Sequence, residues 1–423
     1  MLRRVALTLL CAALAARGLT AQQVWVVGPQ PGPGVDFTAI QAAVNAAADG
    51  DIILVKLGSY VGNVAIANKS LVIEGMPSPA GSSPSSTGTL WIGGLQADRS
   101  VVLRNLEVIP LLSDLSSVLI THCEGPALVE DCSVVIFDSA VTAPPKVNNS
   151  QHVVFTRCTL KASWAHNGFV SGLGLAGLEL VGSDVSLYDC TVLGSTGWGG
   201  QASADGAGTP AEVGGPGIRM IGGTLLLAGG EVHGGTGGWG DTDSGPSGFA
   251  CVPGQSGGPG LVLEAGLVRR LDDALAGGAA GFDAGCGTGS AGADVLQASG
   301  SIEIVPGPLR TLEITSPAAA GQSATIALHG QPGELAFLLQ SFTPLGTWSG
   351  ALKGTLAGAG PYAIFVLGPL GADGSLVIAS MLPDPLLPPG TDALLLVEQY
   401  VVSSSWGKSL STPSTVLLLA DPH

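Results

Sequence analysis

Between Val35 and Gly75 the hydrophobic period changes once, and the change predicts an architecture. Phe37, Ile40, Val44 and Ala47 recur at helical spacing behind Asp36, a residue suited to an N-cap. Asp49-Gly50-Asp51 ends that helix. Beyond it, Ile52–Val55, Asn63–Ile66 and Ser70–Glu74 are short β-rich runs separated by turn residues. An amphipathic helix feeding short strands predicts the start of a solenoid, because a helix laid over one end hides the first coil's unpaired edge.

A register runs downstream. Leu106-Glu107-Val108, Cys132-Ser133-Val134, Cys158-Thr159-Leu160, Cys190-Thr191-Val192 and Gly230-Glu231-Val232 align as inward, outward, inward. The residue before each is Asn105, Asp131, Arg157, Asp189 or Gly229, types that suit a turn. The steps are 26, 26, 32 and 40 residues, and a further step of 43 reaches Asp273. Growing steps with a constant strand pattern predict coils of similar core carrying longer loops. Leu178-Glu179-Leu180, Ile218-Arg219-Met220 and Leu261-Val262-Leu263, each behind a glycine, form a second column with matching steps. The loops 194–216, 234–259 and 277–292 are dense in glycine and are expected to stack as a side wall.

From about Ile304 the texture changes. Leu309–Ile314, Ser323–Leu328, Ala336–Ser341, Tyr362–Leu367, Ser375–Ser380, Ala393–Val402 and Thr415–Leu419 read as strands between Pro/Gly turns, which predicts a small β-sandwich.

The segment VDFTAIQAAVNAAADGDIILVKLGSYVGNVAIANKSLVIEG resembles the N-terminal cap and first coil of the pectin-lyase-like superfamily. LVEDCSVV, FTRCTLKAS and LYDCTVLGS resemble its ordinary coils, over about residues 24–302. The resemblance implies an all-β chain: a right-handed single-stranded parallel β-helix with an N-terminal capping helix, followed here by the sandwich. It does not imply one activity, since that superfamily holds lyases, hydrolases, esterases, epimerases and non-catalytic adhesins. The polygalacturonase set, the methylesterase aspartates with their arginine, and the calcium-clustering aspartates of pectate lyases have no counterpart in this sequence. The pattern ADGSLVIASMLP, PPGTDALLLVEQYVV and STPSTVLLL resembles a C-terminal module of exported planctomycete proteins.

Composition adds compartment. Residues 1–21 read as a secretory signal, with Arg3 and Arg4 before the apolar run Val5–Ala16 and small residues up to Ala21. The expected organisation is therefore signal 1–21, β-helix 22–302 and sandwich 303–423. No later segment reaches about 18 uninterrupted apolar residues, so no membrane span is expected. Loss of the signal leaves 13 basic against 32 acidic residues, a balance that argues against nucleic acid as partner. Cys251 and Cys286, in consecutive Gly-rich loops, are disulfide candidates in an exported chain. Cys132, Cys158 and Cys190 read as an interior stack of small hydrophobes.

Candidate chemistry gathers on the wall. Trp164, Trp198 and Trp239 lie 6, 8 and 9 residues after Cys158, Cys190 and Gly230, so a row of indoles offered to successive sugar rings is one reading and anchors in the wall the other. Asp205, His233, Asp241 and Asp243, with Lys161 and His166, are the nearby titratable groups, and Arg219 beside Glu179 is either an electrophile or half of an ion pair. Asp241 and Asp243 offer oxygen ligands to calcium, the one cofactor considered; none is required by the reading. Two functions stay open. One is a secreted or cell-surface module without catalysis that binds polysaccharide or another surface glycan. The other is a divergent polysaccharide lyase or glycoside hydrolase using the acids near 205–243 with Arg219.

Overall fold

The computed structural model describes residues 22–76, 82–110, 118–136, 143–162, 164–165, 174–202, 209–243, 250–282, 285–404 and 407–421. Within these the chain is a parallel β-helix followed by three further sheets, with a single α-helix at Ile40–Ala46. Ile40, Ala43 and Val44 of the helix are buried in the same core as the first coils. Its N-cap is Ala39, not Asp36 as the pattern suggests. Asp36 instead accepts a hydrogen bond from the Val26 N–H at 2.8 Å, tying the approach to the helix onto the strand Val24–Val27.

Three stacked faces build the solenoid. The first holds Asp51–Val55, Leu71–Gly75, Val101–Arg104, Ala127–Glu130 and Val153–Thr156, paired parallel in sequence order. The second begins at Ser59–Val61, a strand absent from the pattern reading, and continues through Ser85–Thr87, Glu107–Val108, Ser133–Ile136, Thr159–Ala162, Thr191–Leu193, Glu231–His233 and Ala274–Ala276. The third holds Val64–Ala67, Leu90–Gly93, Val118–Thr121 and Lys146–Asn148. In the later coils, single eleven-residue strands, Leu178–Tyr188, Ile218–Ala228 and Leu261–Leu271, run from the third face into the first.

Corner geometry explains the residue before each triplet. Asn105, Asp131, Arg157 and Asp189 all have φ between 51° and 53°, the left-handed conformation that turns the chain from first face to second. Gly229 and Gly230 take that corner on the next coil, and Asp272 on the one after. Just past the corner, Cys132, Cys158 and Cys190 are buried in the solenoid core. Pairing of Glu231 with Ala274 and Val232 with Leu275 extends the ladder to the 43-residue step.

Strands of the first face are apolar on both sides. Ile53, Val55, Leu103, Val129 and Phe155 fill the solenoid. Their neighbours Ile52, Leu54, Val102, Leu128 and Val154 point outward, yet are equally buried, because Leu395, Val397, Leu417 and Leu419 of the C-terminal segment pack over them. That segment contains a three-stranded sheet, Thr311–Ile314, Ser323–His329 and Ser375–Met381. A six-stranded sheet is built around Ala393–Ser404, and the two meet across Leu312, Leu328, Leu338 and Tyr400. A hairpin, Pro344–Ser349 with Gly354–Gly358, completes the contact with the solenoid.

Candidate functional site

On leaving the second face, the chain exchanges the two-residue period of a strand for a three-residue one. The outgoing segment at 194–200 donates Gly194, Gly197 and Gly200 N–H to the carbonyls of His233, Thr236 and Trp239 on the next coil. Gly234, Gly237 and Gly240 donate in turn to Ala276, Ala279 and Phe282. The returning segments behave alike: Gly254, Gly257 and Gly260 donate to Gly287, Ser290 and Ala293. Bonds between the two layers fall on the next residue of each triplet, as in Gly215 to Ser195, Gly235 to Gly215 and Gly258 to Gly235. Three residues per turn, with the bonds going to neighbouring segments of the chain, is the geometry of polyproline-II helices packed side by side.

The packing dictates glycine. A methyl group on Gly234 would point between the layers and sit 1.9 Å from the Gly258 carbonyl oxygen. One on Gly235 would sit 1.8 Å from the Ser195 oxygen. On these outgoing segments the third position of each triplet points to solvent and takes a side chain, which gives Gly-Gly-Thr-Gly-Gly-Trp at 234–239 and Gly-Gly-Ala-Ala-Gly-Phe at 277–282. Cys251 and Cys286, disulfide-bonded, staple this bundle near the hairpin formed by Asp241–Asp243 and Ala250–Val252.

A flat strip results on the outgoing side. Along one coil its outward positions are Glu231, His233, Thr236 and Trp239; along the next they are Ala274, Ala276, Ala279 and Phe282. Trp239 and Phe282 occupy equivalent positions on adjacent segments and are 52% and 75% exposed. The Trp239 indole lies over Gly199 of the preceding coil, where a methyl group would come within 1.8 Å of Nε1. From Glu231 to Trp239 the strip is roughly 25 Å long. At its strand end it opens on a cleft of about 500 Å³ bounded by Asp189, Glu231, Asp272 and Asp273. Burial pushes the Asp273 carboxyl above its ordinary value, although Arg270 lies 3.0 Å away.

The tryptophans do not form one row. Trp164 pairs with Thr196, two residues ahead of Trp198. Trp239 is level with Gly199, one residue past Trp198. Trp198 therefore takes the sideways position of its triplet and Trp239 the outward one. Phe282 fills the place a row would need, and the sequence did carry the signal, in the three-residue glycine period that aligns 277–282 with 234–239.

The other candidates hold local partners. Arg219 lies in an ion ladder across successive coils, 3.4 Å from Glu179 and 2.7 Å from Glu264, with Lys146 Nζ 2.6 Å from Glu179. His233 and Lys161 both pair in register with Leu193, and His233 Nε2 is 3.4 Å from Glu231. Asp241 accepts hydrogen bonds from the Ala202 and Thr242 N–H groups. Asp205 and His166 lie outside the described residues, as do the side chains of Asp243 and Trp164. Among the described residues, no group of three or more His, Cys, Asp and Glu is arranged to hold a metal ion. Nor is any helix long and apolar enough to cross a membrane.

No family model and no curated protein matches this sequence. Among solved structures, the enzymatically active domain of tailspike protein 4 from bacteriophage CBA120 aligns over 89% of this chain, at 11% identity and a TM-score of 0.24. This chain spans 65% of that domain's length. The parallel β-helix described above rests on the strand registers alone.

Proposed function

We propose that this chain is a secreted or cell-surface β-helix protein that binds polysaccharide along the strip from Glu231 to Trp239, without cleaving it. The observation that carries the reading is the exposed, in-register pair Trp239 and Phe282 on a flat face. Indole and phenyl faces stack on the apolar faces of sugar rings, and neighbouring segments about 5 Å apart hold the two at the spacing of a short glycan. Thr236 and His233 supply hydrogen-bonding groups on the same face, along the segment that carries Trp239.

The rest of the reading is of one piece with this. The solenoid is taken as right-handed and pectin-lyase-like, the helix at 40–46 as its cap, the C-terminal segment as a β-sandwich and residues 1–21 as an export signal. Arg219 acts as the middle of a surface ion ladder rather than as an electrophile, and Asp241 as a support for the wall rather than a calcium ligand.

Affinity electrophoresis and calorimetry against a panel of neutral and acidic polysaccharides, with and without calcium, test the proposal. Trp239→Ala with Phe282→Ala is expected to weaken binding by about tenfold or more, while Trp198→Ala leaves it within about twofold. Unchanged affinity in the double variant would reject the strip. Release of unsaturated products or reducing ends would replace this reading with the lyase or hydrolase alternative.

A further inference from the structure

A second cleft lies where the first face of the solenoid meets the C-terminal hairpin. It encloses about 260 Å³. Two walls come from the solenoid, with Asp184 and Thr224 on adjacent coils and Arg269 on the coil after. His152 and Trp348 supply the remainder, the latter from the strand Pro344–Ser349.

Its polar groups are fixed in place and only partly used. Asp184 accepts a hydrogen bond from the Thr224 hydroxyl through Oδ1 at 2.5 Å, and its Oδ2 has no partner among the described residues. Arg269 donates through Nε to Glu303 at 3.1 Å, with its guanidinium carbon 4.7 Å from the centre of the Trp348 ring. Both of its terminal nitrogens are without a protein hydrogen bond among the described residues. His152 donates from Nδ1 to the Gly346 carbonyl at 3.1 Å, with the Thr347 hydroxyl 3.4 Å from the same nitrogen, so that in the neutral ring Nε2 is the acceptor. Leu226 and the Trp348 indole give the cleft its apolar wall.

We propose that this cleft binds one neutral pyranose unit, as a free monosaccharide or the end of a glycan chain. A pyranose has an apolar face and a rim of hydroxyls that both donate and accept. The cleft matches this with an aromatic and aliphatic wall, acceptors at Asp184 and His152, and paired donors at Arg269. Glu303 balances the Arg269 charge, so the formal charge left in the cleft is that of Asp184, which disfavours a uronate. Junctions between packed units are a usual place for such pockets, and this one is small enough to admit a single ring. The site is independent of the strip, which lies on another face.

The test uses the full chain and free sugars. Saturation-transfer NMR and calorimetry are run with glucose, galactose, mannose, N-acetylglucosamine and glucuronic acid, then with methyl glycosides and a short oligosaccharide of whichever sugar binds. At least one neutral sugar is expected to bind saturably below about 10 mM. Asp184→Asn and Arg269→Lys should each weaken it by about tenfold. Asp184 is exposed, so its replacement leaves folding intact. Trp239→Ala should leave this binding unchanged while weakening polysaccharide binding, which separates the cleft from the strip. Binding by the methyl glycoside but not the oligosaccharide identifies free sugar as the ligand; equal binding identifies a chain end. No saturable binding by any neutral sugar, tighter binding of glucuronic acid, or affinity unchanged in both cleft variants would overturn the proposal.

Discussion

Glu130, on the first face of the solenoid, accepts hydrogen bonds from both the backbone N–H and the hydroxyl of Thr415 in the C-terminal segment, at 2.8 and 2.6 Å. Ser414 donates to its other oxygen at 3.0 Å, as does Arg157. Arg104 returns the contact by donating to the Thr415 carbonyl at 2.6 Å. This carboxylate is thus shared by two units, and its position on the outer side of a strand explains how a charge is tolerated under the apolar cover of Leu395 and Leu417.

Glu130→Ala should therefore destabilise the whole chain, not one unit. It leaves Arg104 and Arg157 short of a partner in a buried site and removes the clasp on Thr415, a loss of about 3–5 kcal/mol. Urea denaturation followed by tryptophan fluorescence measures it. A loss below about 1 kcal/mol, or separate transitions in the wild type, would contradict a shared interface.

The pH dependence of stability should run opposite to that of most acidic proteins near neutrality. Burial pushes Glu398 from 4.5 up to about 7, with Gln340 as the hydrogen-bond partner of its carboxyl among the described residues. Burial likewise pushes Glu74 to about 7, outweighing Arg104, which stands 3.9 Å off and is shared with Glu130 and Asp131. The folded chain keeps these protons while the unfolded chain releases them, so stability falls as pH rises from about 4.5 to 7 and then levels off. Each group accounts for about 3 kcal/mol at most. Asp131 acts the other way: burial opposes its ionisation, but hydrogen bonds and charge from Arg157 and Arg104 hold it below its ordinary value. That contribution is lost as pH falls below about 4. Scanning calorimetry should place the highest Tm near about pH 4.5, and Glu398→Gln should flatten the decline above it. A Tm that rises between about pH 5 and 7 in the wild type would refute the assignment.

Much of this was legible in the chain. The corner residues Asn105, Asp131, Arg157 and Asp189 and the triplets behind them reveal the ladder because each coil repeats one turn and one buried side chain. The docking of the C-terminal segment left a weaker trace: the unbroken apolar run Ile52–Val55 signals burial on both sides but does not say by what. The tryptophan spacing misleads for a physical reason. Counting from the strand assumes a two-residue period, whereas the wall has three positions per turn, so a shift of one residue moves Trp198 from the outward position to the sideways one. Asp36 was misread because its side chain meets a strand N–H before the helix begins.

The cysteine stack should be chemically silent until the solenoid unfolds. Burial pushes the Cys132 thiol up to about 12, and the Cys158 thiol well above its ordinary value with Cys190 alongside. Iodoacetamide at about pH 8 should label neither in the native chain, and all of Cys123, Cys132, Cys158 and Cys190 in denaturant. Peptide mass spectrometry distinguishes the sites. Native labelling of Cys158 at a rate near that of a free thiol would show that the corner opens.

The glycine bundle makes the sharpest contrast, because neighbouring residues of one triplet should respond oppositely. Gly235→Ala drives a methyl group to 1.8 Å from the Ser195 oxygen, a backbone atom that cannot swing aside. Relief requires separating two neighbouring outgoing segments that are also joined by the Gly194-to-His233 and Gly197-to-Thr236 hydrogen bonds. The expected loss is about 3 kcal/mol or more, confined at first to the wall. Thr236→Ala changes the very next residue, which points to solvent, and should cost less than about 0.5 kcal/mol. Hydrogen exchange read by mass spectrometry over the peptides spanning 194–200 and 234–240 separates the two. Fast exchange is expected in the first variant and wild-type protection in the second. Equal protection in both would mean that adjacent outgoing segments are not packed backbone to backbone.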